Sequence, residues 1–327
     1  MKETKMRNKS NKQKIIIIFG LIIASALLIA VGGSYYYINK INRVKLDENK
    51  IGVTDVNQVP INDDKSTQSG RNKVKNILLL GVDNQEKASD SNIIISLDDT
   101  SKQIKLSSLM RDTYVEYGPD KVNKLNYAYH YGGPELSVKT INEKFKLDIT
   151  DYVKVDFNGL TKIIDQVGGV EINVRSSEVK SLNGYAKDIA SIGKTQYTPI
   201  SRSGNQVLNG QQATAYCRIR YVGNQDYERT ERQRRVLEQI FSKLKDKSVT
   251  EYPTILSNIL PYIETSLNRI EIISVATTIS NYGKNGIKET RCPYDGLRQD
   301  AMVNGIYYMK WNEEENVKKL HQFIYLQ

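Results

Sequence analysis

"DYVKVDFNGLTKIIDQVGGVEINV", residues 151–174, decides the fold class. Apolar and polar residues alternate through DYVKVDF (151–157), the two-residue period of a strand with one buried face. Asn158 is placed to cap a helix over GLTKIIDQV, and Gly168 and Gly169 stop it. VEINV (170–174) is a second strand. Strand, helix and strand in succession predict an α/β domain.

Upstream, NILLLGVD (76–83), NIIISLDD (92–99) and KQIKLSSL (102–109) are apolar runs of strand length, with DDTSK as the turn between the last two. GGPELSVKTINEKF (132–145) predicts a helix with Pro134 near its first turn and Leu136, Val138, Ile141 and Phe145 toward a core. Downstream, residues 176–206 are rich in Ser, Gly and Asn and predict an irregular insertion before a short helix at NGQQATAYC (209–217). Val236, Ile240, Phe241 and Leu244 recur at helical spacing in 226–246. Further helices are predicted at 252–264, 269–281 and 312–324, with a strand at GIKETRC (286–292). The folded domain is expected to occupy 74–327, and no internal repeat is visible.

The chain has 327 residues, 39% hydrophobic and 26% charged, enough to bury a sizeable core in one large domain or two modest ones. Half of its formal charge of +10 lies in residues 1–14, where six lysines and arginines face one glutamate. From Ile15 to Ile38 runs an uncharged stretch of 24 residues. At ~1.5 Å per residue it is long enough to cross a ~30 Å hydrocarbon core. A single transmembrane helix is the expectation, with a cytoplasmic basic tail and Tyr35, Tyr36 and Tyr37 at the far interface. A cleaved signal peptide is the competing reading, although the apolar run exceeds the usual length of one. Residues 39–73 are polar and aperiodic and predict an extracytoplasmic linker or loosely packed stalk.

Cys217 and Cys292 are the only cysteines, His130 and His321 the only histidines. No zinc-binding spacing exists, and no Ser-His-Asp context is apparent. Outside the cell the two cysteines are free to pair, and two buried thiols are an equal alternative.

The chemistry gathers elsewhere. Asp83 follows one apolar strand and Asp90 precedes the next, at strand ends where α/β sheets usually bind ligands. Two such carboxylates suit Mg²⁺ or Mn²⁺ completed by water and substrate phosphate, although an Asp-rich turn would look the same. LSSLMRDTYV (106–115) brings Arg111 and Asp112 to the end of the third strand. Arg218 and Arg220, two apart, are expected on one face of an extended segment, and DYERTERQRRV (226–236) places Asp226, Arg229, Arg232 and Gln233 along one helix face. A solvated face laced by Asp226–Arg229 and Glu231–Arg235 pairs is the plain explanation. Five guanidiniums in one pocket would repel each other without a polyanion, and their planar forks suit a pyrophosphate. Binding of nucleic acid by this arginine-rich helix is set aside, because the apolar segment places it outside the cell.

Taken in order, NILLLGVD with SD soon after, LSSLMRDTYV, NKLNYAYHYGGPE, DYVKVDFNGLTKIIDQVGGVEINV and LNGQQATAYCRIR followed by DYERTERQRRVL resemble the LytR-CpsA-Psr family of Gram-positive envelope proteins. The resemblance covers roughly 74–246. It implies an α/β/α sandwich with a central mixed sheet and an apolar groove beside the pyrophosphate site. It further implies a phosphotransferase that moves an anionic glycopolymer, such as wall teichoic acid or capsule, from undecaprenyl pyrophosphate to peptidoglycan. Carried over by motif, Asp83 and Asp90 would support the metal. Arg111, Arg218 and Arg220 would grip the phosphates, Arg229, Arg232 and Gln233 would complete the pocket, and Asp226 would act as base. Two departures stand out: Ala88 where the family often has arginine, and Met110 where proline is common. A scaffold that binds the lipid-linked polymer without transfer and a polyprenyl-pyrophosphate hydrolase are the alternatives.

Overall fold

The computed structural model describes residues 41–61, 71, 73–117, 121–223, 225–245 and 251–326. They build a seven-stranded mixed sheet, with strands numbered along the chain, in the order β1 (Asn42–Arg43), β10 (Glu264–Thr265), β7 (Asp151–Asp156), β2 (Val74–Asp83), β3 (Ala88–Asp98), β4 (Gln103–Leu109) and β11 (Ile287–Cys292). β2, β3 and β4 form an antiparallel meander, while β7 runs parallel to β2 and β11 parallel to β4.

The two-residue period of the strands sorts their side chains to two cores. Leu78, Leu80 and Ile94 face helices α1 (Tyr127–Phe145) and α8 (Glu313–Tyr325). Ile77, Ile93, Ile95 and Leu106 face α5 (Gln225–Lys245) and α7 (Arg269–Tyr282) through Phe241 and Ile279. Helices thus cover both faces. A third cluster joins Ile164 of α2 (Phe157–Gln166), Ile172 of β8 (Val170–Val174), Leu182 of α3 (Ser176–Gly193), Tyr216 of α4 (Gly210–Arg218) and Val236 of α5.

Lys105, in the middle of β4, is an exception to the apolar sheet. It is fully buried, and its ammonium donates to the carbonyls of Ile324 (2.8 Å) and Leu326 (2.9 Å) with Asp98 3.5 Å away. Those acceptors replace the water it has lost.

Several expectations change. The stretch expected to be a loose linker sends Ile51, Val56 and Ile61 into the core against Leu78 and Phe145, so 51–61 is packed. Of residues 176–206, 176–193 form α3 and β9 (Gly204–Leu208) begins within the stretch, paired with β8, while 194–203 carry no helix or strand, as expected. The helix predicted over 252–264 stops at α6 (Tyr252–Ile259), passes through a 3-10 turn and ends in β10. Asp156 caps α2 in place of Asn158, accepting from the amide of Gly159 at 2.7 Å. Cys217 and Cys292 are free and buried. Burial pushes the Cys217 thiol up to about 12. Two further hairpins, β5 (Tyr114–Glu116) with β6 (Val122–Lys124) and β12 (Arg298–Val303) with β13 (Ile306–Trp311), had no counterpart in the sequence reading. Among the described residues no helix is long and apolar enough to cross a membrane; the basic tail and the expected span 15–38 lie outside them.

Candidate functional site

The β2–β3 hairpin shapes the first part of the site. Its ladder pairs Gly81 with Ser91 and then Val82 with Ser89, which makes Asp90 the extra residue of a β-bulge. A bulge re-aims the side chain it carries. Gly81 is needed there, since a Cβ would stand 2.9 Å from that of Ser91. Asp83 Oδ1 accepts from the amides of Gln85 (2.8 Å) and Glu86 (3.4 Å), which tightens the connecting turn. Ala88 is buried beside it, and Lys87 takes a left-handed φ of 50°.

The end of β4 supplies the second part. Met110 donates its amide to the carbonyl of Cys292 at 2.8 Å, a bond that proline cannot make. Arg111 follows: its Nη1 donates to Asp90, and its Nε lies 3.7 Å from Asp112. Asp112 is buried and meets Lys124 Nζ at 2.8 Å.

Helices α4 and α5 supply the rest. Arg218 ends α4, so it and Arg220 do not share a strand face as expected. The guanidinium of Arg218 rests on the Phe157 ring (4.6 Å), while Arg220 Nε reaches 3.8 Å from Asp226. In the first turn of α5, Asp226 lies 2.7 Å from Arg229 Nη2, and Arg229 Nη1 lies 4.0 Å from Asp90. Asp90, Arg111, Arg220, Asp226 and Arg229 therefore converge, with Asp112 beside them.

This convergence is ionic but poorly hydrogen-bonded. Both carboxylate oxygens of Asp112 and Asp226, Arg111 Nε, and Arg229 Nε and Nη2 are buried with no aligned hydrogen-bond partner among the described residues. Folded proteins leave few such groups, and several together call for a ligand. Desolvation by burial raises the Asp226 carboxyl above its ordinary range, against the pull of Arg229 and with the help of Asp112. Burial works to lower the Arg111 guanidinium, yet Asp90, Asp112 and Asp226 outweigh it and hold its pKa raised.

Beside the charges opens an apolar cavity of about 270 Å³, lined by Ile93, Ile95, Val236, Ile240, Leu256 and Ile279. Asp90, Gln233, Asp156 and Phe157 also line it, so hydrocarbon and charge share a boundary. The site could accept one molecule that is anionic at one end and greasy at the other. Among the described residues no group of three or more His, Cys, Asp or Glu is arranged so that it could hold a metal ion, while Asp83 and Asp90 stand on the two strands of one hairpin, and one or two carboxylates are what Mg²⁺ takes beside water and phosphate.

Arg232 does not join the site. It is fully buried and donates to Glu178 (2.8 Å), Glu228 (2.8 Å) and the carbonyls of Ile219 (2.9 Å) and Val222 (3.2 Å), bracing α5 against α3. The sequence reading placed it in the pocket by its position on the arginine-rich helix face and by family motif; its partner Glu178 lay in a stretch expected to be irregular. It also missed Asp156, Phe157 and Lys124, although Asp156 ends β7 and Phe157 opens α2, at a strand end where ligands are expected. Tyr227 went unnoticed too; Arg291 and Arg298 lie over its ring at 4.6 and 4.3 Å.

The chain matches the LytR_cpsA_psr family model over residues 35–323. It is 31% identical over 314 residues to the polyisoprenyl-teichoic acid–peptidoglycan teichoic acid transferase TagU of Enterococcus faecalis, covering 93% of this chain and 94% of that one. The TagU of Bacillus cereus is 30% identical, with coverage of 91% and 92%. Among solved structures, TagT bound to LIIa-WTA superposes with a TM-score of 0.65 at 25% identity, over 86% of this chain and 99% of that one.

Proposed function

The chain belongs to the LytR_cpsA_psr family, and from that premise we propose that it transfers an anionic glycopolymer, of the teichoic acid or capsular class, from undecaprenyl pyrophosphate to peptidoglycan. The observation that carries this reading is the set of buried, unsatisfied guanidiniums and carboxylates joined through Asp90 to an apolar cavity. A polyprenyl pyrophosphate supplies both missing halves: hydrocarbon for the cavity and phosphate oxygens for the arginines.

Asp226 is the base. Its raised pKa makes its carboxylate a better proton acceptor than an exposed aspartate. It takes the proton of an acceptor hydroxyl, whose oxygen attacks the phosphorus on the sugar side; a new P–O bond forms while the bond to the lipid phosphate breaks. Lipid monophosphate leaves, and Asp226 returns its proton to it or to solvent. Arg111, Arg220 and Arg229 neutralise the charge that spreads over the phosphoryl oxygens. Arg218 on Phe157 and Gln233 on the cavity wall hold the substrate where hydrocarbon gives way to phosphate. Mg²⁺ or Mn²⁺ held by Asp83 and Asp90 would supply further neutralisation of the phosphates. Residues 15–38 would anchor the domain to the outer face of the cell membrane.

The test incubates the full chain with Mg²⁺, a short lipid-pyrophosphate-linked glycan and peptidoglycan oligomers. Transfer detected by mass, lost in Asp226→Ala and Arg220→Ala, supports the reading. Tight lipid binding without transfer across several glycans would replace it with a scaffold. Release of lipid monophosphate that does not depend on acceptor would make the protein a hydrolase.

A further inference from the structure

Next to Lys124 and Asp112 lies a group of aromatic rings that the reaction leaves unused. Tyr127 and Tyr131, one helical turn apart at the start of α1, are 36% and 38% exposed. Their rings lie 5.9 Å apart, and the exposed His130 ring sits 5.6 Å from one and 5.3 Å from the other. Tyr117 meets Tyr131 edge-on at 5.7 Å, and Tyr308 meets Tyr114 in the same way at 5.3 Å.

Each flank of this surface carries an amine over a ring. Lys121 Nζ is 3.3 Å from the centre of Tyr131, Lys310 Nζ is 5.7 Å from that of Tyr114, and Lys124 Nζ is 5.8 Å from that of Tyr307 and 5.9 Å from that of Tyr308. Lys124 also meets Asp112, so the rings continue directly into the charged cluster.

The surface is also rigidly joined to the site. The amide of Asn126 donates to the Arg111 carbonyl (3.1 Å), and its carbonyl accepts from Ser89 (3.3 Å). Asn123 donates to the Tyr131 hydroxyl at 2.9 Å. At the other end of the aromatic turn, Gly133 takes φ 59° and ψ −151°, a conformation essentially reserved for glycine, and this breaks α1 before Pro134. The break lets Tyr127–Tyr131 follow a direction of its own.

We propose that this aromatic surface binds the acceptor glycan of the transfer reaction, stacking amino-sugar rings on Tyr127, Tyr131 and His130 while Lys121 and Lys124 meet carboxylates of its peptide stems. The proposal rests on the transfer reading. Tyrosine faces are electron-rich and receive the C–H faces of sugars, and they are stiff, so little entropy is lost on binding. In-line displacement puts the attacking hydroxyl opposite the leaving lipid phosphate. The lipid belongs to the cavity that Asp90 lines, and Arg111 joins Asp90 through Nη1 and faces Asp112 through Nε. The acceptor therefore approaches from the Asp112 and Lys124 side, where the rings are.

Equilibrium dialysis of the full chain against a labelled, uncross-linked muramyl-peptide tetrasaccharide tests this without any transfer step. Saturable binding is expected, weakened about tenfold in the Tyr127→Ala/Tyr131→Ala pair and retained in the Tyr127→Phe/Tyr131→Phe pair. Neutral chitotetraose should bind more weakly than the muramyl peptide and should be indifferent to Lys121→Gln. In the transfer assay the alanine pair should raise the acceptor KM about tenfold and leave the donor KM alone. Unaltered tetrasaccharide binding in the alanine pair, or a rise in donor KM instead, would overturn the proposal while leaving transfer intact. Equal competition by a polyol-phosphate oligomer would overturn it too, by assigning the surface to the donor polymer. Ring-dependent binding in a protein that transfers nothing would sink the transfer reading and leave a glycan-binding surface.

Discussion

Arg229 and Arg232 stand one turn apart on α5, are of one residue type, and are almost equally buried, with 5% and 0% of their side chains exposed. They behave as opposites. Every nitrogen of Arg232 donates a well-formed hydrogen bond, to two glutamates and two carbonyls. Arg229 has close carboxylates at its sides and yet buries Nε and Nη2 without an aligned partner. Burial and charge alone therefore do not mark a reactive arginine; the unfilled donors do. One arginine holds helices together, and the other keeps donors open for the phosphate of the proposed reaction.

The largest expected effect falls on the reactive side. Asp226→Asn should lower transfer by ~10²–10⁴-fold, the usual contribution of a general base. The same variant should be more stable than wild type at neutral pH. The sign follows from linkage: a carboxyl with a raised folded pKa binds more protons folded than unfolded, so stability falls as pH climbs from the ordinary carboxylate range through the raised value. Urea unfolding across that range, with transfer measured in parallel, should show activity rising where stability falls. A destabilised Asp226→Asn protein would contradict the contrast.

Arg232→Ala should cost about 3 kcal/mol, because it removes a buried guanidinium with four hydrogen bonds and leaves the buried Glu178 to Arg175 alone. Arg229→Ala should leave the unfolding midpoint close to wild type and weaken a lipid-pyrophosphate analogue instead. Comparable destabilisation by both would erase the distinction.

His321 offers a calibration outside either arginine group. It is buried with one ring nitrogen 2.9 Å from the Phe145 carbonyl, and burial holds its pKa down, to about 4. The unfolded state binds the extra proton, so stability should be complete above the unfolded pKa and drop as pH falls toward 4, by on the order of 3 kcal/mol. His321→Gln should remove that slope in urea titrations.

The smallest effect belongs to the third pair on the same helix. Glu231 and Arg235 are 40% and 41% exposed, and Glu231→Gln should change stability by less than about 0.5 kcal/mol. A larger loss in thermal melts would show that solvent-facing pairs on α5 matter as well.

Much of this was legible in the sequence, and what escaped did so for reasons that can be named. Strand ends announce themselves by apolar runs that stop at charged residues, which is why Asp90 and Arg111 were identified, while Asp226 came from the arginine-rich helix that carries it. The sequence did not show that Asp90 owes its direction to a bulge. Helix α3 hid behind its composition: Glu178, Leu182, Ala186 and Ala190 are buried at strict four-residue spacing, but two are small and one is charged. The tip of the β12–β13 hairpin was written plainly as Asn304-Gly305, with φ of 51° and 77°, the strongest short-range hairpin signal, and was overlooked. Ile51, Val56 and Ile61 carry no periodicity, because what buries them is distant in sequence. The departure at Met110 has a local explanation in its amide bond to Cys292; nothing in the structure explains the one at Ala88.

Lys105 ties the timetable of synthesis to the geometry of the site. Its acceptors lie 219 and 221 residues further along the chain. At ~5–20 residues per second, a ribosome needs roughly 10–45 s to cover that interval. Throughout it, the strand that will present Arg111 contains an ammonium whose place in the core has not yet been made. Pairings this distant make folding slow. The strand that carries Arg111 therefore has its full set of core partners only once the C-terminal helix has been made.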